Sequence, residues 1–313
     1  MAVDRHDMTA KLHKLRDLRA RGRKARVGIY GVTGCAGCQL TLLFAQEKFL
    51  SLLAMVDVLA LPFIKEENYE GRFDIILLEG LVASKEDEDR VRELRERCDV
   101  LVCFGACAVH GCVPAMKNFM NHPAVERAVY AKVDYLNSLA ATPVSAHVPV
   151  DVELPGCPPD ENQLYAVLTD LVLGRPPRVT HNPVCVECAK REVKCLLIEG
   201  KPCLGPITTG GCNAVCTAAG HECMGCRGPT EDANLPAFTS LLVKKGFSRA
   251  DIEQRLHTYA GLLIEKKRLE EKRRLGERVG DGVGGGKTRV GGKKGLGGAE
   301  RMVGRGGRGG GCS

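Results

Sequence analysis

The chain has 313 residues, 16 cysteines and a formal charge of +7. Disulfide scaffolds of this cysteine density are short and exported, whereas this chain is long and opens on a charged segment with no apolar export signal, so metal-binding thiols in a reducing, cytoplasmic setting are expected. The longest apolar runs, such as 52–61, are too short to span a bilayer, and the basicity lies in the tails: residues 1–26 carry +6 and 276–313 carry +5, leaving −4 for the body.

In chain order, 8–20 reads as an amphipathic helix with Met8, Leu12, Leu15 and Leu18 on one side, placed to cover the core. Strand candidates follow at 26–32, 56–61, 74–78, 99–104 and 148–154, and helical spacing recurs at 39–53, 85–97 and 161–173. Short Val/Ile/Leu runs alternating with helices predict an α/β fold, a flavodoxin-like doubly wound parallel sheet covered on both faces. Chemistry in such folds collects beyond the carboxyl ends of the strands. Cys35 and Cys38 follow the first strand, Cys107 the fourth and Cys157 the fifth, so the topology predicts that they converge on one edge.

The loop 31–38 has glycines that permit a tight turn and expose amides, and the helix starting near Gln39 aims its positive end the same way. A flavodoxin would hold a phosphate there, but two thiolates repel phosphate and attract a soft metal. Gly156 and the Pro158-Pro159 pair hold Cys157 in a rigid turn.

Eight further cysteines lie between 185 and 226: Cys185, Cys188, Cys195, Cys203, Cys212, Cys216, Cys223 and Cys226. They divide into two sets of four, the demand of one cubane iron-sulfur cluster or one structural zinc. Spacing alone permits either; the three upstream motifs favour iron-sulfur. Cys98, Cys103 and Cys112 read as small buried hydrophobes, and His110 and His221 as neighbours of cluster cysteines rather than ligands.

The expected division is a basic N-terminal extension (1–25), the α/β domain (26–178), a smaller cysteine-rich, loop-rich iron-sulfur domain (179–230), a helical extension (231–275) and a tail (276–313). The charged run 265–274 reads as a solvated helix face. The tail has 17 glycines and no proline or aromatic residue, a composition that cannot form a core. Its Arg305-Gly-Gly-Arg308-Gly-Gly is similar to RGG segments that contact nucleic acid, but the tail is read as solvated chain without that role, and Cys312 as no ligand.

Cys-x2-Cys after the first strand, Gly-Ala-Cys-Ala around Cys107, Gly-Cys-Pro-Pro around Cys157 and Cys223-Met-Gly-Cys226-Arg-Gly-Pro together resemble the small subunit of NiFe hydrogenases. The likeness is to the cytoplasmic group holding the methyl-viologen-reducing (F420-non-reducing) hydrogenases and the sulfhydrogenase delta subunits, with a relation to the complex I 20 kDa subunit. The resemblance implies three 4Fe-4S clusters: a proximal one on Cys35, Cys38, Cys107 and Cys157, a distal one on Cys185, Cys188, Cys195 and Cys203, and a medial one on Cys212, Cys216, Cys223 and Cys226. Crossed ligation between the last two sets stays open. It also implies an oxidoreductase component that is not catalytic alone, partnered by a NiFe large subunit and by an acceptor: a heterodisulfide reductase, a flavin-NAD(P) subunit or a ferredoxin. Many relatives carry glutamate where Gln39 stands, so a proton-relay role there is not carried over. Two alternatives remain: a cluster subunit of complex I or of an energy-converting hydrogenase, against which the eight extra cysteines count, and a zinc-stabilised binding module.

Overall fold

The computed structural model describes residues 5–133 and 138–274. The strands are β1 (Ala25–Gly31), β2 (Val56–Ala60), β3 (Phe73–Glu79), β4 (Val82–Ser84), β5 (Cys98–Phe104), β6 (Ser138–Thr142) and β7 (Val152–Leu154). Five of them form a parallel sheet in the order β2-β1-β3-β5-β7, the flavodoxin-like winding in which the strand order reverses beside β1. β4 and β6 pair separately, antiparallel.

Alternation along the central strands builds two cores. Val27, Ile29, Ile75, Leu77, Val100, Val102 and Phe104 face one side; Tyr30, Ile76, Leu78, Leu101 and Cys103 face the other. The first face is covered by α1 (Arg5–Ala20), α2 (Gly37–Phe44), α3 (Gln46–Met55) and, beyond the sheet, α7 (Glu161–Val172). Leu12 and Leu15 of α1 are buried there, with Met8 and Leu18 packed beside them, so the apolar side of this helix covers the core. The second face takes α4 (Lys85–Glu96) and α5 (Ala106–His110). A Ser84–Asp87 capping box starts α4, satisfying amides that the first turn of a helix leaves free.

Three local differences from the sequence reading have physical causes. The helix expected over 39–53 is two, because Gln46 takes a φ of 27° and breaks the hydrogen-bond ladder. The strand expected over 148–154 pairs only over its last three residues. The β4–β6 ladder joins segments of three and five residues far apart in sequence, too short for a period to show.

A 3₁₀ turn (Val113–Phe119) and α6 (His122–Val129) follow α5. Beyond α7 come α8 (Val184–Lys190), α9 (Val215–Ala218), α10 (Leu235–Lys244) and α11 (Arg249–Arg274), the last bent at Ala260. Leu235, Phe238, Leu242, Ile252, Leu256 and Ile264 of α10 and α11 share one core with Val184, Leu196, Leu204 and Ile207 of the cysteine-rich segment. The charged run 265–274 is partly tied down: Lys267 donates to the Thr230 carbonyl at 3.2 Å, and Arg268 pairs with Glu253 and Glu265 at 2.7 and 2.8 Å. The tail from 276 onward lies outside the described residues. Among those residues no helix is long and apolar enough to cross a membrane.

Asp151, just before β7, accepts from Lys11 (2.7 Å), Arg95 (2.6 Å) and the Leu101 amide (2.7 Å), joining α1, α4 and β5. Its side chain is 2% exposed. Removing one partner of a buried pair strands the others. Asp151→Ala is expected to cost about 3 kcal/mol, at the low end for such pairs because both cations are partly solvated; an anaerobic urea titration measures it.

Candidate metal centres

The carboxyl edge of the sheet gathers the first cysteines as the topology requires. Cys35 and Cys38 lie in the loop after β1 and at the start of α2, Cys107 in α5 after β5, and Cys157 after β7. Cys38 is close enough to Cys107 and Cys157 for their charges to interact, while Cys35 and Cys157 reach the surface. Gly105 is what admits the Cys38 sulfur: a methyl group there would stand 2.4 Å from it, and the backbone has φ +97°, a region that glycine enters freely.

The amides at the start of α2 do not face the thiols as expected. Those of Cys38 and Gln39 donate to the Glu79 carboxylate at 3.0 and 3.3 Å, and the Gln39 side chain donates to its other oxygen at 2.8 Å. Glu79 is 3% exposed at the end of β3. An acid closing the apolar run 75–78 was the signal in the sequence that could have found it. Burial first, then this carboxylate, pushes the Cys38 thiol well above its ordinary pKa.

Cys98 and Cys103 pack in the core under α4 and α5 as small hydrophobes. Cys112 is buried as well. Its thiol hydrogen-bonds to both Cys107 and Cys157, and the bond lowers the pKa of Cys107 and brings that of Cys157 down to about 7. Cys112 holds φ 51° and ψ −151°, a conformation that costs a non-glycine residue of order 1–3 kcal/mol.

The eight later cysteines fall into two neighbourhoods. Cys185 lies near Cys188, Cys195 and Cys203, and a methyl group added at Gly205 would stand 3.4 and 3.5 Å from the Cys185 and Cys203 sulfurs. Cys212, Cys216, Cys223 and Cys226 line one cavity of about 380 Å³, with Cys157 and Tyr259 also in its wall. A larger hollow of about 450 Å³, walled by Glu66, Glu70, Arg90, Glu93 and Arg97, contains no cysteine. Glu187, between Cys185 and Cys188 on α8, accepts from the Ala214 amide at 3.0 Å and so orients the loop carrying Cys212. His110 is buried and donates to the Cys226 carbonyl at 3.1 Å; its burial depresses its pKa to about 4, leaving the ring neutral. His221 is exposed.

Two backbone bonds connect the neighbourhoods. The Cys157 amide donates to the Cys226 sulfur, and the Cys223 amide donates to the Cys203 sulfur at 3.3 Å. Arg227, missed in the sequence although it follows the last cysteine, is 4% exposed. It donates to the Gly210 carbonyl (2.6 Å), the Gln163 side chain (2.7 Å) and the Pro155 carbonyl.

Sulfur spacing tests the metal. A zinc held by four thiolates at about 2.3 Å brings them within roughly 4 Å of one another. Among the described residues no three cysteine sulfurs lie within 4.8 Å of each other, whereas a four-iron cubane spreads its thiolates over its corners. All-sulfur donor sets suit it. Burial raises Cys185 and Cys212 to about 11, with Glu187 adding to the second, and pushes Cys223 and Cys226 up as well. Metal loading therefore expels protons and strengthens with pH. The cluster of Glu253, His257 and Glu265 is occupied by the Arg268 guanidinium.

Residues 35–171 match the family described as NADH ubiquinone oxidoreductase, 20 Kd subunit. The chain is 36% identical over 240 residues to the sulfhydrogenase 2 subunit delta of Pyrococcus furiosus, covering 75% of this chain and 99% of that one. It is 28% identical to a subunit of the F420-non-reducing hydrogenase vhu of Methanococcus voltae, covering 67% and 84%. A solved chain of an NAD+-reducing [NiFe]-hydrogenase in the H2-reduced state aligns at 30% identity and a TM-score of 0.45, over 50% of this chain and 95% of that one.

Because the thiolate is the nucleophile, alkylation of Cys157 in metal-free protein is expected to be half-maximal near pH 7. Cys112→Ala removes the donor that lowers this pKa and should move the midpoint to higher pH. Iodoacetamide labelling with peptide mass mapping across pH checks both.

Proposed function

The chain belongs to the small-subunit family of NiFe hydrogenases, and from that membership we propose that it holds three 4Fe-4S clusters and relays electrons between the NiFe site of a large subunit and a downstream acceptor. The proposed ligands are Cys35, Cys38, Cys107 and Cys157; Cys212, Cys216, Cys223 and Cys226; and Cys185, Cys188, Cys195 and Cys203. The observation that carries the reading is the serial arrangement of the three sets, joined by the Cys157 amide on Cys226 and the Cys223 amide on Cys203. Iron-sulfur clusters bound there supply one-electron chemistry at potentials set by charge, hydrogen bonds to sulfur and solvent access.

The chain's own residues bias the sites in opposite senses. Glu79 places negative charge beside Cys38, and Arg227 places positive charge beside Cys212 and Cys226. Cys35 and Cys157 open the first set to the surface, where the large subunit would dock. Cys195 opens the last set, next to Ile198 at 84% exposure, as a face for the acceptor: a heterodisulfide reductase, a flavin-NAD(P) subunit or a ferredoxin. A cytoplasmic location belongs to the same proposal.

Anaerobically purified protein is expected to contain about twelve irons per chain, four per set of four thiolates, with matching sulfide and little zinc, and to copurify with a nickel-containing polypeptide. Replacing any of Cys35, Cys38, Cys107 or Cys157 by Ser should remove about four irons and hydrogen-dependent viologen reduction. Stoichiometric zinc in a colourless protein would sink the proposal.

Gly105→Ala is expected to act like loss of Cys38, since the added methyl group meets its sulfur at 2.4 Å. Iron analysis of the purified variant should show a deficit of about one cluster, four irons; a full count would show that the loop yields.

A further inference from the structure

At the amino edge of the parallel sheet, opposite the cysteines, α1, α3 and α7 end around a hollow of about 310 Å³ that also takes in Ala25, the first residue of β1. Exposed Arg19, Arg23 and Lys24 stand at its mouth, Leu15, Met55 and Val172 form its apolar wall, and no acidic residue lines it. Four of the six residues 19–24 are Arg or Lys. The turn that presents them is fixed. Gly22 stands at φ +69°, its amide donates to the Arg19 carbonyl at 2.9 Å, and the Arg23 amide donates to the Leu18 carbonyl at 3.0 Å, the paired bonds of a Schellman cap.

Carboxyl ends of helices leave carbonyls free and carry partial negative charge, so basic residues gather there for structural reasons. Two side chains meet that demand here: Lys24 donates to the Leu53 carbonyl at 3.0 Å near the end of α3, and Arg16 to the Gly174 carbonyl at 3.1 Å beyond α7. Lys24 also faces Asp57 at 4.0 Å. Among the described residues the side chains of Arg19 and Arg23 form no hydrogen bond or ion pair. Two uncommitted guanidiniums therefore stand beside an apolar wall, charge on one side of the hollow and hydrocarbon on the other.

We infer that this hollow binds a small phosphate ester, its phosphate held by Arg19 and Arg23 and its organic body laid against Leu15, Met55 and Val172. The planar guanidinium fork matches phosphate oxygens two at a time and is more weakly hydrated than an ammonium, so a pair of arginines selects phosphate over a simple anion. A volume of about 310 Å³ lies at the lower end of small-ligand sites and suits one headgroup or one mononucleotide, not a polymer. Both a free mononucleotide and the headgroup of an anionic phospholipid offer that chemistry. The hollow lies across the sheet from the cysteines and needs no cluster to be occupied.

The test uses the full chain in its native complex, purified anaerobically, with AMP as the free probe and vesicles of phosphatidylcholine with or without phosphatidylglycerol as the lipid probe. Calorimetry follows AMP and cosedimentation follows the vesicles. The parent is expected to bind at least one probe, and Arg19→Ala and Arg23→Ala, each alone, to weaken that binding about tenfold or more, the loss of one charge-assisted hydrogen bond. Arg21→Ala removes the same charge from the same turn but outside the hollow, and should weaken binding less than about threefold, as expected of a solvated charge. AMP binding without vesicle retention assigns the free ester, and retention only on phosphatidylglycerol vesicles assigns the lipid headgroup. Failure of the parent to bind either probe overturns the inference. So does an Arg21→Ala loss as large as the other two, which would mean a diffuse positive surface. Hydrogen-dependent viologen reduction should be equal in all three variants and the parent; its absence from the parent would remove the cluster reading and leave the binding result standing.

Discussion

The Arg227 guanidinium lies buried where the cysteine-rich segment meets the parallel-sheet domain, gripping Pro155 and Gln163 on one side and Gly210 on the other. Burial of a cation is unfavourable unless it is paired, and these three acceptors are neutral. Burial lowers its pKa, and Cys212 and Cys226 when ionised, then Glu187 and Asp160, act against that lowering. Docking of the two halves and the anionic state of those thiols therefore support each other. Because Pro155 precedes Gly156 and Cys157, the same contact sets the distance between the first set of cysteines and the second.

The thiols themselves resist the anionic state. Most of the later cysteines whose pKa is displaced are raised by burial, and Glu79 adds repulsion at Cys38. Against this the fold directs backbone amides at sulfur, Cys157 to Cys226 and Cys223 to Cys203. Each bond stabilises a thiolate and at the same time holds two neighbouring sets in fixed relation. The C-terminal helices complete the enclosure. Leu262 packs against Gly111, Leu263 against Gly228, and Phe119 stacks on His257 with ring centroids 4.5 Å apart. α11 thus clamps the cysteine-rich segment onto the sheet domain, which accounts for its sharing a core with residues far upstream.

What could be read in advance followed from short-range regularities. The apolar runs ending near Gly31, Leu78 and Phe104 are strands because two buried faces demand continuous hydrophobicity, and the right-handed crossovers between parallel strands then bring Cys38, Cys107 and Cys157 to one edge. Glu79 resisted reading because its partners, the amides of Cys38 and Gln39, lie forty residues away on another connection. Cys103 and Cys112 read as core residues, and both are buried.

The amino-acid sequence by itself determined the element types, the doubly wound form of the sheet and the family to which the chain belongs, since each of these depends on period, spacing or composition along the chain. Tertiary structure alone decided which amides meet which sulfurs, that Arg227 joins the two halves, and that a carboxylate rather than free amides stands behind Cys38. Those outcomes turn on distances and directions between residues that no local pattern relates, and a buried polar group takes its partner from whatever the packing brings within about 3 Å.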